Sequence, residues 1–540
     1  MLRRVSRTTA AAAALVIVLA GPAWAVSATD VQANSPQVAD QPSSDSTAKF
    51  PTNKQNEPTI AVNPDGTHLI AGSNDEQEQP PCGPGDLRGD VPGSDCSFFP
   101  GIGTDGVYTS PDGGKTWTNQ GLLDDQVGWK ASPFVSDGDP VIVYGPRYLG
   151  RGEFSTISYD AYYQSLASYK PGKQPGQQGP EFIVVSKSSD DGASWAGPSV
   201  VADSHGYIFN DKNAMWADRT LGSPYFGRLY ASWTQFRSIP GTAEPVMFSY
   251  STDGGRTWSR PNQLSGASNN SVTGGRQGSA IRSDGAGNVY VAWEEGGNQV
   301  YARSRNGGVT FERTKVIGPV TDIADPMPGA NFRTNSFLSL ASEPVKDSTR
   351  LYASWVNRVG LAGTTAEVVV YRTDGGTWTK VATPYTGSVG DQKGEGGAPF
   401  YQGLDVAPDG RVDLAWQAMT ANSSTFGTGN AAIDSWYSSS PAGGEAFSSE
   451  PARVSTASSD PAASAQNNLA KQFWGDYNTL VSGAANAWFI YTDSRNGVGC
   501  GVVDTYQHEL ATTGTGTKPS VATCDGQFGN TDAYVSLITP

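Results

Sequence analysis

Ionisable and hydroxyl-bearing residues recur in this sequence directly beside short apolar stretches. Glu57 precedes "TIAV", Arg276 precedes "GSAIRS", Arg333 precedes "SFLSLAS" by two residues, Tyr401 precedes "GLDV", and Asp476-Tyr477 precede "NTLVS". Asn74-Asp75, Glu294-Glu295 and Arg495 close other such stretches. Guanidinium groups can clamp a carboxylate bidentately, and paired carboxylates can move protons or attack a reacting centre. Carboxylates, arginines and tyrosines together suit an anionic or hydroxyl-rich ligand. Each residue also has a plainer role: Tyr401 and Tyr477 can be packing residues, Arg276 and Arg333 can pair with acids, and Asp476 can fix a turn.

The elements that must hold these side chains are short strands. Stretches of five to seven residues rich in Val, Tyr and Trp, bounded by Asp-Gly or Gly-Asn, read as β-hairpins, and no stretch shows sustained helical periodicity. The clearest are "GSAIRSDGAGNVYVAWEE" and "GLDVAPDGRVDLAWQAM". A turn of the form Ser-x-Asp-x-Gly-x-Thr-Trp recurs at "TSPDGGKTW", "KSSDDGASW", "SYSTDGGRTW" and "RSRNGGVTF", with weaker copies at "YRTDGGTW" and "SSPAGGEAF". In it an Asp can accept backbone N–H bonds while glycine supplies a positive φ and the aromatic packs beneath. Radially repeated units of about 60 to 80 residues imply an all-β propeller of four-stranded blades. Seven candidate inner strands, at Glu57, Asp139, Lys212, Gly278, Ser336, Gly403 and Asp476, predict seven blades, with "AYVSLITP" closing the last. Six blades plus a C-terminal hairpin is the alternative.

The ends and the composition bound the class. Arg3, Arg4 and Arg7, an apolar run from Ala10 and the Ala23-Trp24-Ala25 site predict a signal peptide over 1–25, hence a secreted, extracellular chain. Residues 26–49 are polar and predict a flexible leader, leaving 50–540 as the propeller. Gly at 65 and Pro at 35 suit many turns; 14 Trp, 22 Tyr and 19 Phe suit aromatic packing. A net charge of −15 argues against nucleic acid or an anionic membrane as partner, and a monomer is expected. Cys82 with Cys96, and Cys500 with Cys524, are sequence-local pairs that predict two disulfides. No cofactor or catalytic metal is expected. Asp137 and Asp139 in "SDGDP" are a weak candidate for structural Ca²⁺, since no recognised loop surrounds them.

The repeated turn resembles the Asp boxes, or bacterial neuraminidase repeats, of sialidases and related secreted propellers. That resemblance covers roughly Asn56 to the C-terminus and marks the fold more strongly than the function. It implies a glycosidase whose arginines hold the substrate carboxylate, whose nucleophile is a Tyr assisted by a Glu, and whose acid/base is an Asp. Arg276 and Arg333 resemble the family's second and third arginines, and Tyr401 resembles its nucleophile. Asp75, Asp86 or Asp90 could stand for the acid. Two departures follow: Asn56 occupies the first arginine's place, and no carboxylate lies between Trp258 and Arg276 to assist the Tyr. The site expected from residues and resemblance together is therefore Tyr401, Glu57 and Asp75 as catalytic groups, with Arg276, Arg333, Glu294, Tyr477 and Arg495 holding a glycan. Three readings stay open: a sialidase-like glycosidase; another carbohydrate-active propeller, using two carboxylates such as Glu57 and Glu294 or Glu295, or a Tyr base in a lyase; and a non-catalytic glycan or protein binder.

Overall fold

The computed structural model describes residues 26–36, 54–78, 101–170, 182–203, 208–237, 243–266, 277–466 and 468–540. Within them the alternating apolar stretches form seven antiparallel sheets, arranged as a seven-bladed propeller. The innermost strands are Gln55–Val62, Val141–Gly150, Ile208–Ala217, Ala280–Ser283, Ser339–Ser342, Ala398–Val406 and Thr479–Ser482, each at a place the sequence indicates. Each pairs with the next strand of its own blade, so consecutive elements are neighbours throughout.

The core is a ring of layers between blades. The buried apolar side chains fall into seven clusters, each drawn from two neighbouring blades, and an eighth satellite cluster near the C-terminus. Trp233, Trp293, Trp355 and Trp416, one per second strand, are completely buried in these layers. Tryptophan suits the position because a blade pair must be filled by one large, rigid side chain.

The repeated turns sit between third and fourth strands and have the geometry their residues imply. Asp253 accepts N–H bonds from Arg256 (3.1 Å) and Thr257 (2.9 Å) and the Thr257 hydroxyl (2.6 Å). Gly254 and Gly255 adopt φ of +68° and +76°, and the Gly255 N–H donates to Ser251 Oγ. Asp112 and Asp190 repeat the arrangement, and Asn306 substitutes its amide oxygen.

Two expectations are corrected. The segment 26–49 is not wholly a flexible leader, because Ser27–Gln32 is the outermost strand of the seventh blade, paired in six-residue register with the C-terminal strand Asp532–Thr539. Asp30 explains its order: its carboxylate takes the Thr456 N–H and hydroxyl and Arg495, contacts that polar composition alone hides. No stretch is expected to be helical, yet the segment after Cys500 forms a helix, Gly501–Thr513, ended by Gly514 at φ +73°. Val503 and Tyr506 pack on Leu469 and Phe528, and the Cys500–Cys524 disulfide, with Cα atoms 5.4 Å apart, ties its start down. Cys82, Cys96 and residues 1–25 lie outside the described residues. Among those described, no helix is long and apolar enough to cross a membrane.

Candidate functional site

All seven inner strands begin at the same face of the ring, so their first residues surround one mouth of the axial channel. There the backbone does something unusual. Glu57, Asp139, Lys212 and Tyr401 adopt φ of +51°, +52°, +49° and +47°, and Gly278 stands at the same place with +85°. The register slips beside three of them, between Asn56 and Thr59, Asp211 and Ala214, and Phe400 and Gly403. A left-handed conformation costs a residue with a Cβ roughly 1–2 kcal/mol. Glycine would avoid that cost, as Gly278 shows, so four strained side chains mark this ring as a functional candidate.

Those side chains converge. Lys212, its side chain only 8 % exposed, places Nζ 2.7 Å from Asp476, 3.2 Å from Asp139 and 3.3 Å from Glu57. Arg333 donates from Nε to Asp476 Oδ1 (2.6 Å) and from Nη2 to Asp476 Oδ2 (2.8 Å) and Glu57 Oε1 (3.2 Å). Asn74 Nδ2 reaches Glu57 Oε2 at 3.4 Å, while its Oδ1 accepts the Asp139 N–H at 2.8 Å. Two cations thus face three buried carboxylates.

Burial, reinforced by the charges of Asp139 and Asp476, holds the Glu57 carboxyl well above the ordinary range against the pull of Lys212. Burial likewise raises Asp139, with Lys212 opposing. Asp476 is the exception: burial would raise it, but Arg333 and Lys212 outweigh that and hold it well below the usual carboxylate range. Burial would lower Lys212, yet the three carboxylates keep it charged. Burial and the neighbouring acids thus favour the neutral form of Glu57, while the two cations favour the charged form of Asp476.

Above this floor opens a cavity of about 620 Å³. Among the described residues its wall carries six carboxylates, Asp211, Glu244, Glu294, Asp322, Asp325 and Asp476, with Lys212 and Arg333. Nearly half the Arg333 side chain is open to it.

The expected site residues divide. Glu57 and Arg333 meet in the floor, and Glu294 is on the cavity wall. Tyr477 lies beside them, its ring 5.8 Å from Lys212 Nζ, lining the channel below the mouth. Tyr401 is in the ring, but its hydroxyl lies 2.8 Å from the Arg333 carbonyl oxygen and 2.6 Å from that of Gly475, so its one proton is engaged by backbone, and burial raises its pKa. Asp75 is turned into its own blade, accepting from Gln55 Nε2 and the Tyr108 hydroxyl at 2.8 Å each. Arg495 is not at the mouth. Asp493 and Asp30 take its guanidinium at 2.7 Å each, which makes it a clamp on the N-terminal strand. Glu295 accepts from Trp293 Nε1. Asn56 is buried, accepting from Asn74, and brings no charge. Arg276, Asp86 and Asp90 lie outside the described residues.

Asp139 and Asp137 do not act as a pair for a cation. Asp139 is taken by Lys212, and Asp137, pushed by burial up to about 7, bonds Ser168. Among the described residues no group of His, Cys, Asp or Glu is arranged to hold a metal. Lys212, at a strand start, had its signal in the sequence. Glu244, Asp322 and Asp325 had none, because they reach the cavity from loops between strands.

The molecule is thus a seven-bladed propeller with a polar, carboxylate-rich mouth. No protein-family model and no curated protein matches the sequence. Among solved structures it is similar to the leech intramolecular trans-sialidase (14 % identity, 68 % of this chain and 65 % of that one, TM-score 0.38). It is also similar to the Penicillium chrysogenum α-L-arabinanase (13 %, 72 % and 94 %, 0.38) and the Trypanosoma rangeli sialidase (15 %, 74 % and 57 %, 0.39). The chain spans less than two thirds of the leech and trypanosome proteins. At these identities and scores the likeness carries no functional argument, and the reading rests on the site.

Proposed function

We propose that this chain is an exported, carbohydrate-active propeller whose mouth takes a hydroxyl-rich sugar and hydrolyses it with carboxylates. The observation that carries this is the lining of the cavity: among the described residues six carboxylates line it, and Lys212 and Arg333 in its floor face Asp476, Glu57 and Asp139. Sugar hydroxyls are good donors to carboxylate oxygens. Glu57, in the floor beneath the cavity and raised well above the ordinary range by burial, is the proposed proton donor, and Glu294 on the wall is the proposed partner carboxylate. Export follows from the reading of residues 1–25.

The test is a panel of chromogenic neutral furanosides and pyranosides beside a sialoside. Neutral glycosides should be cleaved, and Glu57→Gln and Glu294→Gln should each lower kcat about 10²-fold or more with the melting temperature of Glu294→Gln unchanged. A sialidase-like reading is favoured by the half-open Arg333 and the repeated Asp turns. It requires release from the sialoside and loss of that release in Tyr401→Phe. Saturable glycan binding without turnover would make the protein a binder.

A further inference from the structure

The inner strands run from the mouth to the opposite face, and between them lies a second cavity of about 230 Å³. Its walls are apolar, built from side chains such as Ile142, Met215, Leu340 and Leu480, one strand after another around the axis. At the far end this changes. Arg282, in the strand Ala280–Ser283, and Arg219, in the turn after Ile208–Ala217, both line the cavity and both lie over the Trp216 ring, at 4.2 and 5.4 Å.

Neither guanidinium forms an ion pair among the described residues, although Arg303, Arg411 and Arg495 elsewhere are each matched to a carboxylate. Arg282 Nη1 donates to its neighbour's carbonyl at 2.9 Å, while its Nε is buried without an acceptor. Asp405, across the channel, is engaged by the Ser482 N–H at 2.9 Å. Two arginines and one carboxylate leave an excess positive charge at the end of an apolar tube. Burial lowers Arg282 to about 10, the direction expected of a buried cation whose counter-charge is incomplete.

We propose that the far end of the axial channel is a second binding site, for a small organic monoanion whose carboxylate meets Arg282 and Arg219 and whose apolar body fills the tube. Guanidinium groups stacked on an aromatic ring keep their N–H edges free, and those edges match a carboxylate. An apolar cavity of about 150 Å³ holds benzene, so this one suits a body of roughly six to eight heavy atoms. A polar sugar does not match its apolar walls. The site is distinct from the glycan cavity, with which it shares only Lys212 and Phe337 among its lining residues.

Titration calorimetry with hexanoate tests it, with hexan-1-ol as the uncharged control. Hexanoate should bind saturably and hexanol about tenfold or more weakly. Arg282→Gln and Arg219→Gln should each weaken hexanoate by about tenfold. Asp405→Asn, which removes the competing negative charge and keeps an acceptor for Ser482, should tighten it, a gain that misfolding cannot imitate. Equal binding of hexanol, absence of saturation, or an unchanged affinity in the folded Arg219→Gln protein would overturn the proposal. Loss of hexanoate in Arg333→Gln would do so too, by moving it to the mouth.

Discussion

Lys212 is the residue on which the floor of the mouth depends, because it is the buried cation shared by Glu57, Asp139 and Asp476. Removing one partner of a buried charge set leaves the others uncompensated, at a cost of about 3–5 kcal/mol. Lys212→Met should therefore unfold at markedly lower denaturant at pH 7. The sign of its pH dependence follows from the carboxyls. Glu57 is raised above an ordinary value near 4.5, so its contribution is fully present below that value and is lost as pH rises through the folded pKa. Asp476 is held below 3.8, so its contribution is present above that value and is lost as pH falls through the folded pKa. Without Lys212 the carboxyls rise further, and the deficit against wild type should shrink between pH 7 and pH 5. Parallel denaturant titrations at the two pH values measure this, and a deficit that is constant or grows on acidification contradicts it.

Among the elements, the repeated turn is a staple of backbone hydrogen bonds with its aromatic pressed on the blade beneath. Asp253→Ala removes the acceptor for two N–H groups and one hydroxyl, and about 1–2 kcal/mol of stability should go with it. Asn306 performs the same task through its amide oxygen, with Nδ2 donating to Thr310 Oγ1 at 2.8 Å. Asp253→Asn should accordingly cost less than half as much, and glycoside turnover per folded molecule should match wild type in both. Thermal melting and kinetics on the same samples decide it; a stable Asp253→Ala protein without turnover would contradict a structural role. The helix Gly501–Thr513 depends on a different staple. Replacing Cys500 and Cys524 by Ser should cost about 3 kcal/mol by opening a loop of 24 residues, read as a lowered unfolding midpoint.

The whole ring closes through its ends. The seventh blade takes two strands from Thr479–Ser482 and Ala487–Asp493, a third from the C-terminal Asp532–Thr539, and its fourth from Ser27–Gln32. Arg495 bridges Asp493 and Asp30 across that junction and lies 4.1 Å over the Tyr534 ring. A chain beginning at residue 37 exposes the edge of Asp532–Thr539. Its amides there and in Ala487–Asp493 should exchange with solvent at least tenfold faster, while the third to fifth blades keep their protection. Asp30→Asn should show the same pattern more weakly. Unchanged exchange in the shortened chain would mean that the ring holds without its closure.

Strand positions, blade number and turn geometry are legible in the sequence because each is a local matter. Alternation over five to seven residues sets a strand, and Ser, Asp, Gly and Thr within seven residues set a turn. The mouth is legible only as a set of strand starts. Which of its members meet depends on Glu57, Asp139, Lys212, Arg333 and Asp476 arriving from different blades, and no spacing encodes that Lys212 compensates three acids at once. Asp75 and Arg495 have the chemistry of site residues, yet Gln55, Tyr108, Asp493 and Asp30 satisfy them elsewhere. The strand Ser27–Gln32 is the sharpest case: its composition is that of a solvated leader, and its order comes from a partner strand some 500 residues away. Backbone preference acts between neighbours in sequence, whereas charge compensation and edge pairing act between neighbours in space, and in a closed ring those are the two ends of the chain.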